Sequence, residues 1–208
     1  MDWEDTSRHE TPDSLWRKCG LGRREIRACD SLFDRETAPK WWKVYDYLEA
    51  RLERGLLAAL VGEFGSGKTV MGAHLLREMC KRFMEKPSRL RKFQEPLYTT
   101  APQMFRTLME AQRDGNEGRV LGRYLRPMLL VVDEAHERPD TEAQDRRMRE
   151  IIDRRYKSER DTLFITNMKP EALGESIGGA AIDRIRQCGG MIPCNWGSFR
   201  HSKGGATK

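Results

Sequence analysis

Short apolar runs recur along the chain, and each interval between them is long enough to hold a helix. An unbroken apolar run of this length is typical of a strand that is buried on both faces of a sheet. The pattern predicts five strands, at residues 56–61, 96–101, 128–134, 161–167 and 191–196.

The intervals between these runs carry apolar residues at helical spacing. One such segment runs from Trp41 to Leu52, and Gly55 follows where a helix would end. We interpret the aromatic face of Trp41, Trp42 and Tyr45 as core packing rather than as a stack for a cofactor. Further helices are predicted at residues 15–27, 70–83, 103–112, 141–157, 170–176 and 181–186. This alternation implies an α/β fold with a mostly parallel sheet and crossover helices.

The loop after the first predicted strand has the pattern of a phosphate-binding loop. Residues 62–69 read G-x-x-x-x-G-K-T, with a strand before them and a helix after them. The glycines Gly62, Gly65 and Gly67 permit positive φ and remove the Cβ atoms that would block close approach. Backbone N–H groups at a helix N-terminus suit an anion, so this segment, here called the phosphate loop, predicts binding of a nucleotide triphosphate.

The side chains of the two residues that end the phosphate loop can contact the phosphates and a metal ion. Lys68 offers a positive charge to the β- and γ-phosphates, and Thr69 offers a hydroxyl to Mg²⁺. The predicted contacts to ATP are Gly62, Glu63, Phe64, Gly65, Ser66, Gly67, Lys68, Thr69 and Val70.

Polar residues at the ends of two later strands predict the second half of a hydrolytic site. Asp133 ends the strand at 128–134 and can hold Mg²⁺ together with Thr69, while Glu134 can orient and deprotonate the attacking water. Asn167 ends the next strand and can hold that water or contact the γ-phosphate, although by itself it could equally be a turn former. We expect His136 to be a surface residue rather than a ligand.

Composition narrows the class of protein. The chain has 208 residues, of which 34% are charged and 38% apolar, with a net charge of +6. No run is long enough to span a membrane and the N-terminus does not resemble a signal peptide, so we expect a cytoplasmic protein without a membrane partner. The five scattered cysteines favour reduced thiols. The arginine-rich stretches are interleaved with acids, which indicates solvated helix faces with i,i+4 pairs.

Three segments are expected along the chain. Residues 1–39 form a short N-terminal extension, partly disordered and a possible docking segment for a partner. Residues 40–200 form the ATPase domain, and residues 201–208 form a flexible polar tail.

The motifs taken together resemble a known family. The phosphate loop, Asp133-Glu134 and Asn167 occur in the order found in AAA+ ATPases. The D-R-R helix, the T-N strand end, the D-R-[hydrophobic]-R segment and the N-W-G-S-F-R ending are similar to bacterial helicase loaders of the DnaC/DnaI type, with IstB-like ATPases as close relatives. The resemblance covers residues 55–200. Two features depart from the family pattern: only about fifty residues precede Gly55, and Gly197 stands where aspartate is usual.

The resemblance implies a P-loop NTPase of the AAA+ class, a three-layer sandwich around a mostly parallel five-stranded sheet without a sizeable C-terminal lid domain. It implies ATP and Mg²⁺ as cofactors, and an oligomer that assembles with ATP. Arg184 would be an arginine finger that reaches the nucleotide of a neighbouring subunit, and Arg200 would contact nucleotide in its own subunit.

The implied function is to bind single-stranded DNA and to load or remodel a replicative helicase. Related loaders place DNA-binding helices between the second strand and Asp133, where this chain has several arginines. These candidate DNA contacts, each of which could instead be a solvated arginine, are Arg106, Arg113, Arg119, Arg123 and Arg126. The alternatives are an IstB-like transposition ATPase and a nucleotide-switched binding module with negligible turnover. A small metabolite kinase fits the phosphate loop alone, but Asn167, Arg184 and Arg200 argue against it.

Overall fold

A parallel five-stranded sheet forms the centre of the protein. The computed structural model describes residues 12–30, 34–85, 94–137 and 141–199. The strands are β1 (Leu57–Val61), β2 (Leu97–Thr100), β3 (Leu129–Asp133), β4 (Asp161–Thr166) and β5 (Gly190–Pro193). All four pairings are parallel, in the spatial order β2-β3-β4-β1-β5. The predicted sheet is therefore confirmed.

Nine helices occur within the described residues. Those on the N-terminal side of β3 are α1 (Pro12–Lys18), α2 (Arg23–Asp30), α3 (Pro39–Glu49), α4 (Lys68–Glu85), α5 (Ala101–Arg113) and α6 (Glu117–Leu125). Those that follow β3 are α7 (Glu142–Lys157), α8 (Pro170–Ile177) and α9 (Gly179–Cys188). None of these helices is long and apolar enough to cross a membrane.

Helices cover both faces of the sheet, which explains the unbroken apolar strands. Along β1, Ala58 and Leu60 belong to a core cluster shared with helices α1 to α4. Their neighbours Leu57, Ala59 and Val61 belong to a second cluster shared with helices α5 to α9. Successive side chains of a strand point to opposite faces, so each strand contributes to both clusters. The result is the predicted three-layer sandwich.

The strand order determines which loops meet. In a parallel sheet, the carboxyl ends of all strands lie at the same end of the sheet. Because β4 lies between β1 and β3, the residue after β4 falls between the loops that follow β1 and β3. Asn167 is that residue, and the phosphate loop and Glu134 flank it on either side.

The described N-terminal residues form two helices, where one helix at 15–27 was predicted. Gly20 separates them at φ 98, and a Cβ atom there would overlap the carbonyl oxygen of Tyr98. Leu15, Ile26 and Cys29 are buried in the core cluster of α4. These apolar side chains are therefore part of the core, and the possible docking role of residues 1–39 stays a prediction. Residues 1–11 and the predicted tail at 201–208 lie outside the described residues.

Two further differences concern the second half of the chain. Helix α6 was not predicted, since Gly118 and Gly122 lower its helix propensity, but Leu121 and Tyr124 are buried in the second core cluster. The last strand ends at Pro193 rather than at residue 196. Neither difference changes the order of strands or the position of the phosphate loop.

One arginine of α7 is buried, which corrects the expectation of a fully solvated helix face. The Arg155 side chain is 0% exposed, and its guanidinium donates to Thr162 Oγ1 at 2.7 Å and to the carbonyls of Tyr124 and Pro127 at 2.9 and 3.1 Å. It joins α7 to the segment before β3 and to β4. The exposed cations of α7 do form the predicted i,i+4 pairs; examples are Arg146–Glu142 and Lys157–Asp153.

Candidate nucleotide-binding site

The phosphate loop has the backbone that its glycines predict. Gly62, Gly65 and Gly67 adopt φ values of 144, 83 and 78, a region that residues with side chains rarely occupy. A Cβ atom on Gly62 would also lie 2.8 Å from the carbonyl oxygen of Cys194. The loop leads directly into Lys68, the first residue of α4, so its N–H groups meet at a helix N-terminus.

The Lys68 ammonium group lies inside the phosphate loop. The side chain is only 5% exposed, and Nζ donates to the carbonyls of Gly62 and Glu63 at 2.9 and 2.7 Å and to Ser66 Oγ at 3.2 Å. The loop therefore holds a positive charge at its centre, where phosphate oxygens could take over part of these contacts.

The other predicted contacts of the phosphate loop differ in exposure. Glu63 is exposed, and Phe64 is 66% exposed, while Ser66 is buried and its hydroxyl donates to the carbonyl of Glu63 at 3.0 Å. Val70 packs partly against the core cluster below α4. The exposed side chains thus lie at the rim of the loop and the buried ones support it.

Residues from distant parts of the chain hold the carbonyl groups of the loop. Trp41 Nε1 donates to the carbonyl of Gly67 at 3.2 Å, and Trp196 Nε1 donates to that of Ser66 at 2.9 Å. The backbone N–H of Phe199 donates to the carbonyl of Gly65 at 2.9 Å. Trp41 is fully buried, which confirms core packing, and its indole N–H also has this second role. The backbone of the loop is therefore held in place by α3 and by the chain after β5.

Thr69 and Asp133 meet, although they are 64 residues apart. Thr69 Oγ1 donates to Asp133 Oδ2 at 2.8 Å, and the N–H of Glu134 donates to Asp133 Oδ1 at 2.7 Å. The buried hydroxyl of Tyr98 donates to Asp133 Oδ2 at 2.6 Å. Tyr98 was not predicted from the sequence, because its contact with Asp133 depends on β2 lying beside β3.

Glu134 adopts a strained backbone conformation directly after β3. Its φ of 53 is unusual for a residue with a side chain, and such strain costs on the order of 1–3 kcal/mol. Partial burial raises the pKa of Glu134, and the negative charges of Glu137 and Asp133 raise it further. A carboxylate with a raised pKa is a stronger base, which suits the extraction of a proton from water.

His136 lies within the site, contrary to the prediction that it is a surface residue. Its side chain is 19% exposed, and its Nδ1 and Nε2 lie 3.4 Å from the backbone nitrogen and from Nδ2 of Asn167. Its ring packs edge-on against Phe64, with 6.4 Å between centroids. His136 therefore joins Asn167 to the rim of the phosphate loop. Its position three residues after Asp133 was the only signal in the sequence.

The predicted arginines lie away from this centre or beyond the described residues. Arg184 on α9 forms an ion pair with Asp153 of α7 at 2.6 Å, and its guanidinium lies 5.4 Å from the ring centre of Tyr156. Within the described residues, none of its recorded contacts is to the phosphate loop. Arg200 lies outside the described residues, although the neighbouring Phe199 contacts the loop.

The candidate DNA contacts lie on α5, on α6 and just after α6. All five side chains are exposed, and no ion pair is recorded for any of them within the described residues. They are Arg106, Arg113, Arg119, Arg123 and Arg126.

A glycine loop at a helix N-terminus, joined to an aspartate that ends a parallel strand, defines a nucleotide-binding protein of the P-loop class. The sequence model of the family described as "IstB-like ATP binding protein" matches residues 52–203. This match covers more than half of the chain, and the chain belongs to that family.

One curated relative is a protein of Escherichia coli (strain K12), named YdaV and described as uncharacterized. The two are 29% identical over 144 residues, which is 68% of this chain and 54% of YdaV. The chain therefore spans about half the length of this relative.

Solved structures of replication proteins share the fold. DnaI superposes with a TM-score of 0.64 at 21% identity, covering 84% of this chain and 94% of DnaI. The DnaC helicase loader gives 0.63 at 19% identity, covering 83% and 99%. DnaA from Aquifex aeolicus, bound to AMPPCP, gives 0.61 at 16% identity, covering 80% and 49%. These likenesses confirm the AAA+ fold that the motifs predicted.

Proposed function

We propose that the chain binds ATP with Mg²⁺ in the phosphate loop and hydrolyses it. The observation that carries this proposal is the 2.8 Å hydrogen bond between Thr69 Oγ1 and Asp133 Oδ2, beside the buried ammonium of Lys68. A hydroxyl and a carboxylate at this separation fit the oxygen ligands that Mg²⁺ prefers when it binds nucleotide phosphates. Bound Mg²⁺ would neutralise charge on those phosphates.

The residues around this pair have distinct proposed roles. Lys68 binds the β- and γ-phosphates, and Glu134 accepts a proton from the attacking water. Asn167, held by His136 between the two loops, positions that water or the γ-phosphate. The strained backbone and raised pKa of Glu134 support its role as the base.

Substitution of Glu134 tests the hydrolytic role. We expect Glu134→Gln to lower the rate of phosphate release about 10²- to 10⁴-fold and to retain binding of a fluorescent ATP analogue, because only the base is lost. Glu85→Gln is the matched control, since it removes an exposed carboxylate at the end of α4 opposite the phosphate loop and should keep near wild-type turnover. Equal turnover in Glu134→Gln and wild type would refute the assignment. A wild-type protein that binds ATP without turnover would favour the nucleotide-switched module.

We further propose that the active form is an ATP-dependent oligomer. Arg184 is proposed to act as a finger on the nucleotide of a neighbouring subunit, and Arg200 to contact nucleotide in its own subunit. Two observations support these roles: the recorded contacts of Arg184 are to α7, and Phe199, next to Arg200, contacts the loop. A guanidinium offers a bidentate fork to phosphate oxygens.

The proposed task of this ATPase is to bind single-stranded DNA and to load or remodel a replicative helicase. The resemblance of its motifs to helicase loaders supports this assignment. One structural neighbour, DnaA, was solved bound to AMPPCP and single-stranded DNA. In this chain, the exposed arginines of α5 and α6, for which the described residues record no ion pair, are the candidate contacts to phosphates.

Family membership also favours a second candidate, an ATPase of transposition, because the matching family is the IstB-like one. The two candidates differ in protein partner. A pull-down with the whole chain as bait, in the presence of ATP, should recover a hexameric helicase in the first case. Recovery of a transposase instead would establish the second.

A further inference from the structure

Helix α2 presents a group of exposed arginines that have no acidic partner in the described part of the chain. Arg23, Arg24 and Arg27 are exposed, and within the described residues none of them has a recorded ion pair. The opposite side of the helix is buried through Ile26 and Cys29. We call Arg23, Arg24 and Arg27 the basic face of α2.

The stability of α2 accounts for Arg27, which lies in the last turn where a cation complements the helix dipole, but not for Arg23 and Arg24. Arg23 and Arg24 lie in the first turn, where a positive charge opposes the helix dipole. Arg23 and Arg27 are four residues apart and repel each other. Some other exposed cations have acidic partners: Lys18 pairs with Glu95 at 2.7 Å, and the exposed cations of α7 pair within their own helix. Within the described residues, the basic face shares its lack of a recorded ion pair with the candidate DNA contacts of α5 and α6. The unpaired charge of the basic face therefore suggests an external anion.

The basic face is held firmly on the protein. The N–H of Tyr98 donates to the carbonyl of Cys19 at 2.7 Å, so the turn between α1 and α2 closes on strand β2. Strand β2 forms one edge of the sheet, and α5 begins directly after it. The turn that leads into α2 and the start of α5 therefore both adjoin β2, and the two helices belong to opposite layers of the sandwich.

We propose that the basic face of α2 binds the phosphodiester backbone of a single-stranded nucleic acid that also contacts α5 and α6. This inference rests on the proposed function, to which it adds a second site for the same ligand. Guanidinium groups bind phosphates through two parallel hydrogen bonds, and an array of them suits a repeating phosphate backbone.

The chemistry of the surface favours a nucleic acid over a protein partner. Protein interfaces have an apolar or aromatic centre within a polar rim. The large apolar side chains that are exposed in the described residues, Tyr47, Phe64, Met84 and Met109, all lie outside α1 and α2. Trp16 of α1 is covered by the guanidinium of Arg77, which lies 3.9 Å from its ring centre. The surface therefore offers charge without an apolar anchor.

The test compares binding of fluorescein-labelled oligothymidylate to the full chain and to a variant that combines Arg23→Ala, Arg24→Ala and Arg27→Ala. Fluorescence anisotropy is measured across a range of salt concentrations. The matched control combines Arg146→Ala, Arg154→Ala and Lys157→Ala on α7, which removes the same number of exposed charges that are paired with acids. Unchanged urea unfolding of both variants verifies that they fold.

We expect the α2 variant to bind at least about tenfold more weakly, and the slope of log affinity against log salt to flatten by about 2, because each lost phosphate contact removes about 0.7. The α7 control should keep the wild-type slope.

If the α2 variant behaves like the control while Arg106→Ala with Arg123→Ala weakens binding, this inference is wrong and the proposed function stands. If the wild-type chain does not bind the oligonucleotide, the DNA binding of the proposed function is wrong and this inference is wrong with it. Loss of a protein partner with retained DNA affinity would overturn the inference in favour of protein docking.

Discussion

Tyr98 places a buried hydroxyl against the carboxylate that we propose as a metal ligand. Its O–H donates to Asp133 Oδ2 at 2.6 Å, while its backbone N–H bonds to the turn between α1 and α2. Burial and the negative charge of Asp133 raise the pKa of Tyr98 far above its usual value, so the hydroxyl remains a donor. Partners of this kind orient metal-binding side chains.

The substitution Tyr98→Phe should therefore raise the Mg²⁺ concentration needed for half-maximal ATP hydrolysis by about tenfold or more. The measurement is a Mg²⁺ titration of phosphate release at saturating ATP. Tyr124→Phe serves as the control, because it removes a buried hydroxyl on α6 without touching the site. An unchanged Mg²⁺ requirement in Tyr98→Phe would show that this hydrogen bond does not orient Asp133.

At the scale of single residues, the sequence predicted those whose chemistry is local. The glycines of the phosphate loop, Lys68 and the end of β3 follow from pattern and spacing alone. Tyr98, Trp196 and His136 could not be assigned to the site in this way. Each of these residues meets the site only because the fold brings segments that are distant in sequence together. From sequence alone, packing in a core is the more common explanation for residues of these types.

At the scale of elements, Arg155 shows how one helix can be tied to the sheet through a buried charge. It donates to backbone carbonyls on the chain before β3, to the carbonyl of Asp161 at 2.5 Å and to Thr162 Oγ1. Asp161 in turn accepts from the N–H of Leu56 at 2.8 Å. The network joins α7 to the amino ends of β4 and β1. These strand ends lie opposite the phosphate loop, which follows the carboxyl end of β1.

We expect Arg155→Met to lower the free energy of unfolding by about 3–5 kcal/mol, since the carbonyl groups would be left buried without donors. Urea denaturation followed by circular dichroism measures the change. The neighbouring substitution Arg154→Met removes an exposed arginine with a 3.3 Å pair to Glu150 and should cost less than about 1 kcal/mol. Similar midpoints for the two variants would contradict a structural role for Arg155.

Helix boundaries show where local pattern was insufficient. The segment at residues 15–27 carries apolar residues throughout, so pattern alone suggested one helix. The bend at Gly20 exists because the chain there packs directly on the backbone of Tyr98. Helix α6 forms despite two glycines because burial of Leu121 and Tyr124 outweighs their low propensity.

At the scale of the whole molecule, the proposed assembly would let a neighbouring subunit complete the nucleotide-binding site. In one chain, Arg184 is paired with Asp153 and lies on the surface formed by α7 and α9. If this arginine acts on the nucleotide of a second copy, hydrolysis depends on assembly.

We expect the rate of ATP hydrolysis to rise more than linearly with protein concentration, and Arg184→Ala to lower it about 10³-fold, as for other arginine fingers. Mixing Arg184→Ala with Lys68→Ala should restore part of the activity, because one variant keeps an intact site and the other an intact finger. Asp153→Asn breaks the same ion pair without removing the guanidinium and should retain activity. A rate proportional to concentration, with Arg184→Ala fully active, would refute the proposal.

The sequence by itself determined the alternation of strands and helices, the phosphate loop and the acidic pair after β3. These features depend on residues close together along the chain, whose periodicity and φ preferences act locally. The tertiary structure alone decided the order of the strands, the burial of Arg155, the contact of Tyr98 with Asp133 and the closure of the turn between α1 and α2 on β2. Each of these joins residues far apart in sequence, so it depends on which surfaces pack together, which no short pattern encodes. The phosphate loop could thus be identified from its own residues, but the groups that support and complete it could not.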